Sequence, residues 1–257
     1  MGEPVLVERR GNVAWCTLDQ PPLNLLDAKL IGAIHAAFTA LAADATIRAA
    51  VLTGRGRAFT GGMNVHVLHD LDVPRAKVLI TAIHAAIASV HHAPFPVIAR
   101  VNGFCLGAGF ELALACDVRI AAETARFGLP EVRVGVPSVI EAALLPALVG
   151  PGRAAEMLLT GESIDAQQAQ DWGLVNRVVS GEELDAAVEA MVEKVLACGP
   201  AAIRLQKELL LRWRYTDLPT AIEYGINAFA TAYATDEPRE GARAFLEKRA
   251  PRFGSRP

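Results

Sequence analysis

The chain has 257 residues, enough for a substantial core as one large domain or one domain with an appendage. At 52% hydrophobic and 21% charged it is not a disordered chain, and a net charge of −3 leaves no footprint for nucleic acid or an anionic membrane. Cys16, Cys105, Cys116 and Cys198 are scattered without a C-x-x-C pair, which suits the reduced thiols of a cytoplasmic protein. The start carries no signal-peptide pattern, and no uncharged apolar run reaches the roughly 18 residues needed to span a bilayer.

Residues 4–8 and 13–18 read as two short strands around the turn "RRGN". After "QPPLN", which breaks regular structure, the apolar spacing of Leu30, Ala33, Ile34, Ala37 and Phe38 predicts a helix over 27–42. "AAVLTG" (49–54) is a buried strand and "RGRAFTGGM" a Gly-rich loop. A second helix fits 74–92, and "PFPVIARVNG" returns as a strand. A Gly-rich turn at 103–109 opens a helix that runs to about Cys116. Residues 118–123 form another strand, and "ARFGLPEVRVG" is a loop. From Pro137 the pattern is helical, interrupted by the strand-like "LVNRVV", and long helices follow from Gly181. Strands alternate with helices through residue 123 and helices then take over, which predicts an α/β core with a helical C-terminal section.

Two Gly-rich turns, Gly54–Met63 and Gly103–Gly109, each follow an apolar strand. Such turns bare consecutive N–H groups, and a helix start beyond them favours negative charge. Neither is a phosphate-binding loop, since no Gly-Lys-Ser/Thr follows, and "GRGRAF" has Phe59 where a dinucleotide fingerprint needs its third glycine. Each alone reads as a tight connection; as a pair they read as two donors aimed at one oxygen. Glu111, in the first turn of its helix, is a stabilising end charge or an acid/base group. Glu131 is a solvated loop charge or its partner. His66 and His69 lie three apart but have no third metal ligand, and no G-x-S-x-G serine-hydrolase motif occurs.

"AAVLTGRGRAFTGGMNV" (49–65), "PVIARVNGFCLGAGFELALACDVRIAAETARFGLPEVRVG" (96–135), "EMLLTGESIDAQQAQDWGLVNRVV" (156–179) and "DEPREGARAFLEKRAPRF" (236–253) closely resemble the enoyl-CoA hydratase/isomerase, or crotonase, family. The resemblance covers nearly the whole chain. It implies a crotonase-like spiral of ββα units in two roughly perpendicular sheets over 1–196, followed by a helical trimerisation region over 197–257. It further implies an acyl-CoA thioester substrate, no metal or other cofactor, and a homotrimer or dimer of trimers that engages neither nucleic acid nor membrane. By that resemblance the backbone amides of Met63 and Ala108 form an oxyanion hole, with Gly62, Gly107 and Gly109 small so that the thioester can approach. Glu111 and Glu131, twenty residues apart as in the family's hydratases, are the catalytic pair, with Pro130 beside them. Family isomerases typically keep only the carboxylate matching Glu131, so the pair favours hydration, with isomerisation or another enolate reaction as the alternative. A non-catalytic acyl-CoA-binding or RNA-binding member is a further reading, which the net acidity opposes.

The sequence departs from the family at several positions. Met63 is bulkier than usual, Asn64 replaces a frequent aspartate, and His66 stands where some members place a CoA-binding lysine. In "VPSVIEAALLP" (136–146), Ser138, Val139, Ile140 and Glu141 replace a Gly-rich turn. That predicts a reshaped acyl pocket. Glu141 is either a third carboxylate of the site or, as general exposure favours, a solvent-facing helix charge.

Overall fold

The structure, a computed structural model, describes residues 2–253. Strands β1 (Val5–Arg10) and β2 (Val13–Leu18) form an antiparallel hairpin in which Val5 faces Leu18 and Arg10 faces Val13. The turn is shorter than expected because Arg9 and Arg10 stay in the ladder. Helix α1 (Ala28–Ala43) starts at Asp27, whose carboxylate accepts the Leu30 N–H at 2.9 Å. The helix buries Leu30, Ile31, Ile34 and Phe38, the period expected of one apolar face.

Three strand–strand–helix repeats follow. The first is β3 (Ala49–Gly54), β4 (Ala58–Thr60), the short α2 (Val65–His69) and α3 (Val73–His91). The second is β5 (Val97–Val101), β6 (Phe104–Leu106) and α4 (Ala108–Ala115). The third is β7 (Val118–Ala122), β8 (Arg126–Gly128), two 3-10 turns (Pro130–Val134 and Ile140–Leu144), α5 (Leu145–Val149) and α6 (Pro151–Thr160). Then come β9 (Ser163–Asp165), α7 (Ala166–Asp171), β10 (Arg177–Val179) and α8 (Leu184–Leu196). Helices α9 (Pro200–Trp213), α10 (Leu218–Ala232) and α11 (Glu237–Leu246) close the described chain.

The first strand of each repeat joins a six-stranded sheet ordered β1-β2-β3-β5-β7-β10. The second joins a four-stranded sheet ordered β4-β6-β8-β9. The fold is therefore α/β with two sheets, as expected. The strands β4, β6 and β8, however, lie inside segments expected to be loops. Each is three residues long, too short to show alternation.

Period-two alternation divides the large sheet between two cores. Ala50, Leu52, Ala99 and Ala121 point into the main core. Ala49, Val51, Ile98 and Ile120 point the other way, beneath Leu184 and Val188 of α8. With both faces covered, β3 is buried along its whole length, which is why it reads as an unbroken apolar run. Burying a side chain such as Leu52 contributes about 1.5–3 kcal/mol.

Helix α3 is long and apolar enough by composition to cross a bilayer, although its first turns carry Arg75 and Lys77, so the expected absence of a long uncharged apolar run is not contradicted. Here it packs along α1 and α4 through Ile83, Ala86, Ile87 and Val90. The C-terminal helices are pinned by polar contacts. On α9, Lys207 is 3% exposed; its ammonium donates to Phe95 O (2.9 Å) and pairs with Asp117 Oδ2 (2.8 Å). The Glu237 carboxylate of α11 accepts the N–H groups of Ala201 and Ala202 at the start of α9. Helix α10 leaves Leu218, Ile222, Ile226 and Phe229 exposed at helical spacing, continued by Tyr233 at its C-cap.

Candidate active site

Strands β4, β6 and β8 are adjacent and parallel, so the chain leaves all three at the same end of the small sheet. Met63 lies just beyond β4, Gly107 and Ala108 just beyond β6, and Glu131 just beyond β8. Three parts far apart in sequence are thereby gathered at one edge, where parallel-sheet proteins place ligands.

The two Gly-rich turns touch. Gly62 has φ +87°, and a Cβ built on it would meet Leu106 O at 2.7 Å and Gly107 Cα at 3.5 Å. Only glycine allows this approach. Beyond Gly62, Met63 forms an isolated parallel bridge with Leu26, in which Leu26 N–H donates to Gly62 O (2.8 Å) and Asn64 N–H donates to Leu26 O (3.2 Å). Such a bridge uses the groups flanking Met63 and leaves its own N–H directed away from Leu26. The segment holding Leu26 is fastened by Asn24. This residue is fully buried, and its Nδ2 donates to Arg55 O (3.0 Å) and Ala58 O (2.9 Å). No sequence motif marks Asn24; its place at the end of the structure-breaking stretch "QPPLN" is the one available signal.

Gly107 has φ +55° and precedes α4 with no side-chain cap. Its own N–H donates to Gly128 O (2.9 Å), and its carbonyl accepts from Phe110 and Glu111 N–H. Ala108, 8% exposed, then presents its N–H among the donors that a helix start leaves without intrahelical partners.

Both candidate glutamates flank Gly107. Glu111 sits one turn into α4 and is 2% exposed. A Cβ at Gly107 would lie 2.6 Å from Glu131 Oε1. Glu131 is half-buried rather than a solvated loop charge, and the Ser138 hydroxyl donates to its Oε2 at 2.6 Å. Burial pushes the Glu111 carboxyl up to about 8. The charges of Glu131 and Glu141 add to that rise, while the N–H groups of Ala142 and Val139 oppose it. Near neutral pH Glu111 therefore carries a proton.

The other predicted positions divide. Pro130 opens the 3-10 turn that carries Glu131, at the first helical position that proline suits. Ser138 acts on Glu131 itself. Met63 packs its side chain against the main core with Leu26. His66 is exposed on α2, one turn beyond Met63. Gly109 is small for a different reason from that expected: a Cβ there would strike Thr60 Cγ2 at 2.3 Å, so close packing of α4 on β4 demands it.

Glu141 is the clearest correction. It is 7% exposed, not solvent-facing, because the 3-10 turn folds it inward against α3 and α4. Its Oε1 lies 2.8 Å from His84 Nδ1. Sequence alone gives His84 a surface or packing role, although it follows Ile80 by four residues and precedes Ile87 by three, on the apolar side of α3. Among the described residues no cluster of three His, Cys, Asp or Glu side chains is arranged to hold a metal. An apolar groove of about 590 Å³ between α1 and α3, lined in part by Ile31, His35, Val67, Leu71 and Leu79, includes none of the predicted site residues. Chemically, main-chain donors beside a protonated and a second carboxyl group can stabilise charge on a carbonyl oxygen and move a proton nearby.

A family sequence model described as "Enoyl-CoA hydratase/isomerase" matches residues 8–256. The chain is 36% identical over 256 residues to a probable enoyl-CoA hydratase of Mycobacterium bovis, with 99% of each chain covered. It is also 36% identical, over 257 residues and 99% of each chain, to a crotonyl-CoA hydratase of Syntrophomonas wolfei. Among solved structures, an enoyl-CoA hydratase from Bacillus anthracis superposes with a TM-score of 0.94 at 33% identity, covering 98% of this chain and all of the other.

Proposed function

The chain belongs to the enoyl-CoA hydratase/isomerase family, and from that premise we propose that it adds water across the 2,3 double bond of an enoyl-CoA thioester. What supports this reading is the meeting of the two Gly-rich turns at Gly62 and Gly107, with Glu131 Oε1 against Gly107 and buried Glu111 one turn further along α4. The thioester carbonyl accepts from Met63 N–H and Ala108 N–H. As water oxygen attacks C3, the double-bond electrons move toward that carbonyl and its oxygen becomes enolate-like. Fixed donors stabilise the charge, and one such donor is typically worth about 3–4 kcal/mol. Glu111, protonated by burial, orients the water, while Glu131 takes the water's proton and delivers it to C2. Water is consumed and nothing is oxidised or reduced, so the reaction calls for no redox cofactor, and the main-chain donors supply the carbonyl polarisation that a Lewis-acid metal would otherwise give.

The separation of residues 1–196 as the catalytic core from 197–257 as an assembly region belongs to the same proposal. The exposed apolar stripe of α10 supports self-association, as a homotrimer or dimer of trimers in the cytoplasm. The direct test follows loss of the conjugated-thioester absorbance with crotonyl-CoA and longer enoyl-CoAs. Turnover on at least one chain length is expected. A folded protein that turns over none of them would overturn the reading.

A further inference from the structure

The segment 138–142 reaches both glutamates. The Ser138 hydroxyl donates to Glu131, and the N–H groups of Val139 and Ala142 lie near enough to the Glu111 carboxyl to favour its ionised form. Glu141, inside the same segment, sends its side chain to α3, where His84 Nδ1 holds Oε1 at 2.8 Å. Its Oε2 is buried and has no hydrogen-bond partner. An unsatisfied buried carboxyl oxygen is costly, so its retention calls for a compensating role. No packing need explains the charge either, since an apolar side chain of similar volume would fill the place without that cost.

We propose that Glu141 is a positioning residue of the site: tethered to His84 on α3, it anchors the 138–142 segment that holds Glu131 through Ser138 and packs against α4, the helix that carries Glu111. The ionisable groups around it are His84 from α3, Glu111 from α4 and, beyond Glu111, Glu131 from the 130–134 turn. His92 is coupled to His84, and α5 brings none. The field of Glu141 opposes ionisation of Glu111, in the same direction as burial. His84 is half-exposed, with 54% of its side chain accessible, so the tether reaches from solvent to the interior.

The consequence for catalysis rests on the reading of Glu111 and Glu131 as the acid/base pair, but the first measurement needs no substrate. Carboxyl-carbon NMR titration of the full chain, labelled at the glutamate side-chain carboxyl, follows Glu111 through a resonance assigned by its loss in Glu111→Gln. In Glu141→Gln, which keeps the shape and an acceptor for His84, the Glu111 midpoint should fall by about one pH unit. If that variant does not fold, His84→Ala carries the test. Deprived of its donor, buried Glu141 is pushed further toward its neutral form, and the Glu111 midpoint should move in the same direction as in Glu141→Gln. An unchanged midpoint in the variant measured would overturn the inference. In steady-state assays of Glu141→Gln, kcat should fall about tenfold with KM nearly constant, and the pH limb assigned to Glu111 should move with the NMR midpoint. KM, kcat and thermal midpoint falling together with no pH displacement would mark a merely structural residue. A shifted midpoint in a protein that hydrates no enoyl-CoA would keep the coupling and remove the functional reading. Hydration with an unmoved midpoint would do the reverse.

Discussion

Glu111→Gln should make the protein more stable at alkaline pH while abolishing most of its activity. Burial pushes the Glu111 carboxyl from 4.5 to about 8 in the folded chain. A folded-state value raised above the unfolded one favours the fold at low pH. That advantage is lost as pH rises from the unfolded value to the folded one, because the unfolded chain releases a proton that the folded chain retains. Each pH unit in that window costs about 1.4 kcal/mol, so the interval from near pH 5 to near pH 8 amounts to roughly 4 kcal/mol at most. The amides of Val139 and Ala142 accommodate a neutral glutamine oxygen as well, and relaxation around the site brings the expected difference to roughly 2–4 kcal/mol. Equilibrium urea unfolding of both proteins near pH 5, 7 and 9, at one protein concentration to hold assembly constant, reads it directly. The two should be close near pH 5 and diverge in favour of the variant until about pH 8. A constant offset at every pH would mean that Glu111 titrates like an ordinary surface carboxylate, and the electrostatic description of the site would be wrong.

Glu131→Gln leaves the donors and Glu111 in place but removes the proton shuttle, so kcat should fall by about 10²–10⁴ with little change in KM, measured on the best enoyl-CoA found. Gly107→Ala should reduce kcat/KM by roughly 10²-fold and cost about 1–3 kcal/mol in urea unfolding. The added methyl meets Glu131 Oε1 at 2.6 Å in a backbone at φ +55° that alanine rarely adopts. Full activity in that variant would count against convergence of the two turns. Lys207→Met strands Asp117 and removes the tie between α9 and the large sheet, with an expected loss of about 3–5 kcal/mol in chemical unfolding. The proposed self-association should weaken with it in sizing experiments, since α10 packs on α9.

The helices were legible in the sequence where apolar spacing was regular, as in α1 and α3, and β3 showed as an apolar run because α8 covers its second face. The three short strands β4, β6 and β8 were not, since three residues among glycines carry no period. Yet these strands bring Met63, Ala108 and Glu131 to one edge. The parts of the site were visible as residues, while their assembly depended on pairing between distant segments. Glu141 was misjudged because a glutamate in a helix-like run is usually exposed; its burial follows from a 3-10 turn docking on α3 and α4, and from a histidine fifty-seven positions away. Gly109 was explained by ligand access when Thr60 is the reason, a contact across two elements that spacing does not reveal.

Successive ends of the small sheet each contribute one component, and this has an evolutionary corollary. On the proposed function the first two ends would hold the carbonyl, whereas the third, running from Glu131 into the segment that carries Glu141, would handle the proton. Mutation within the third can retarget the chemistry, exchanging one fate of a shared enolate for another, while activation of the thioester is inherited intact.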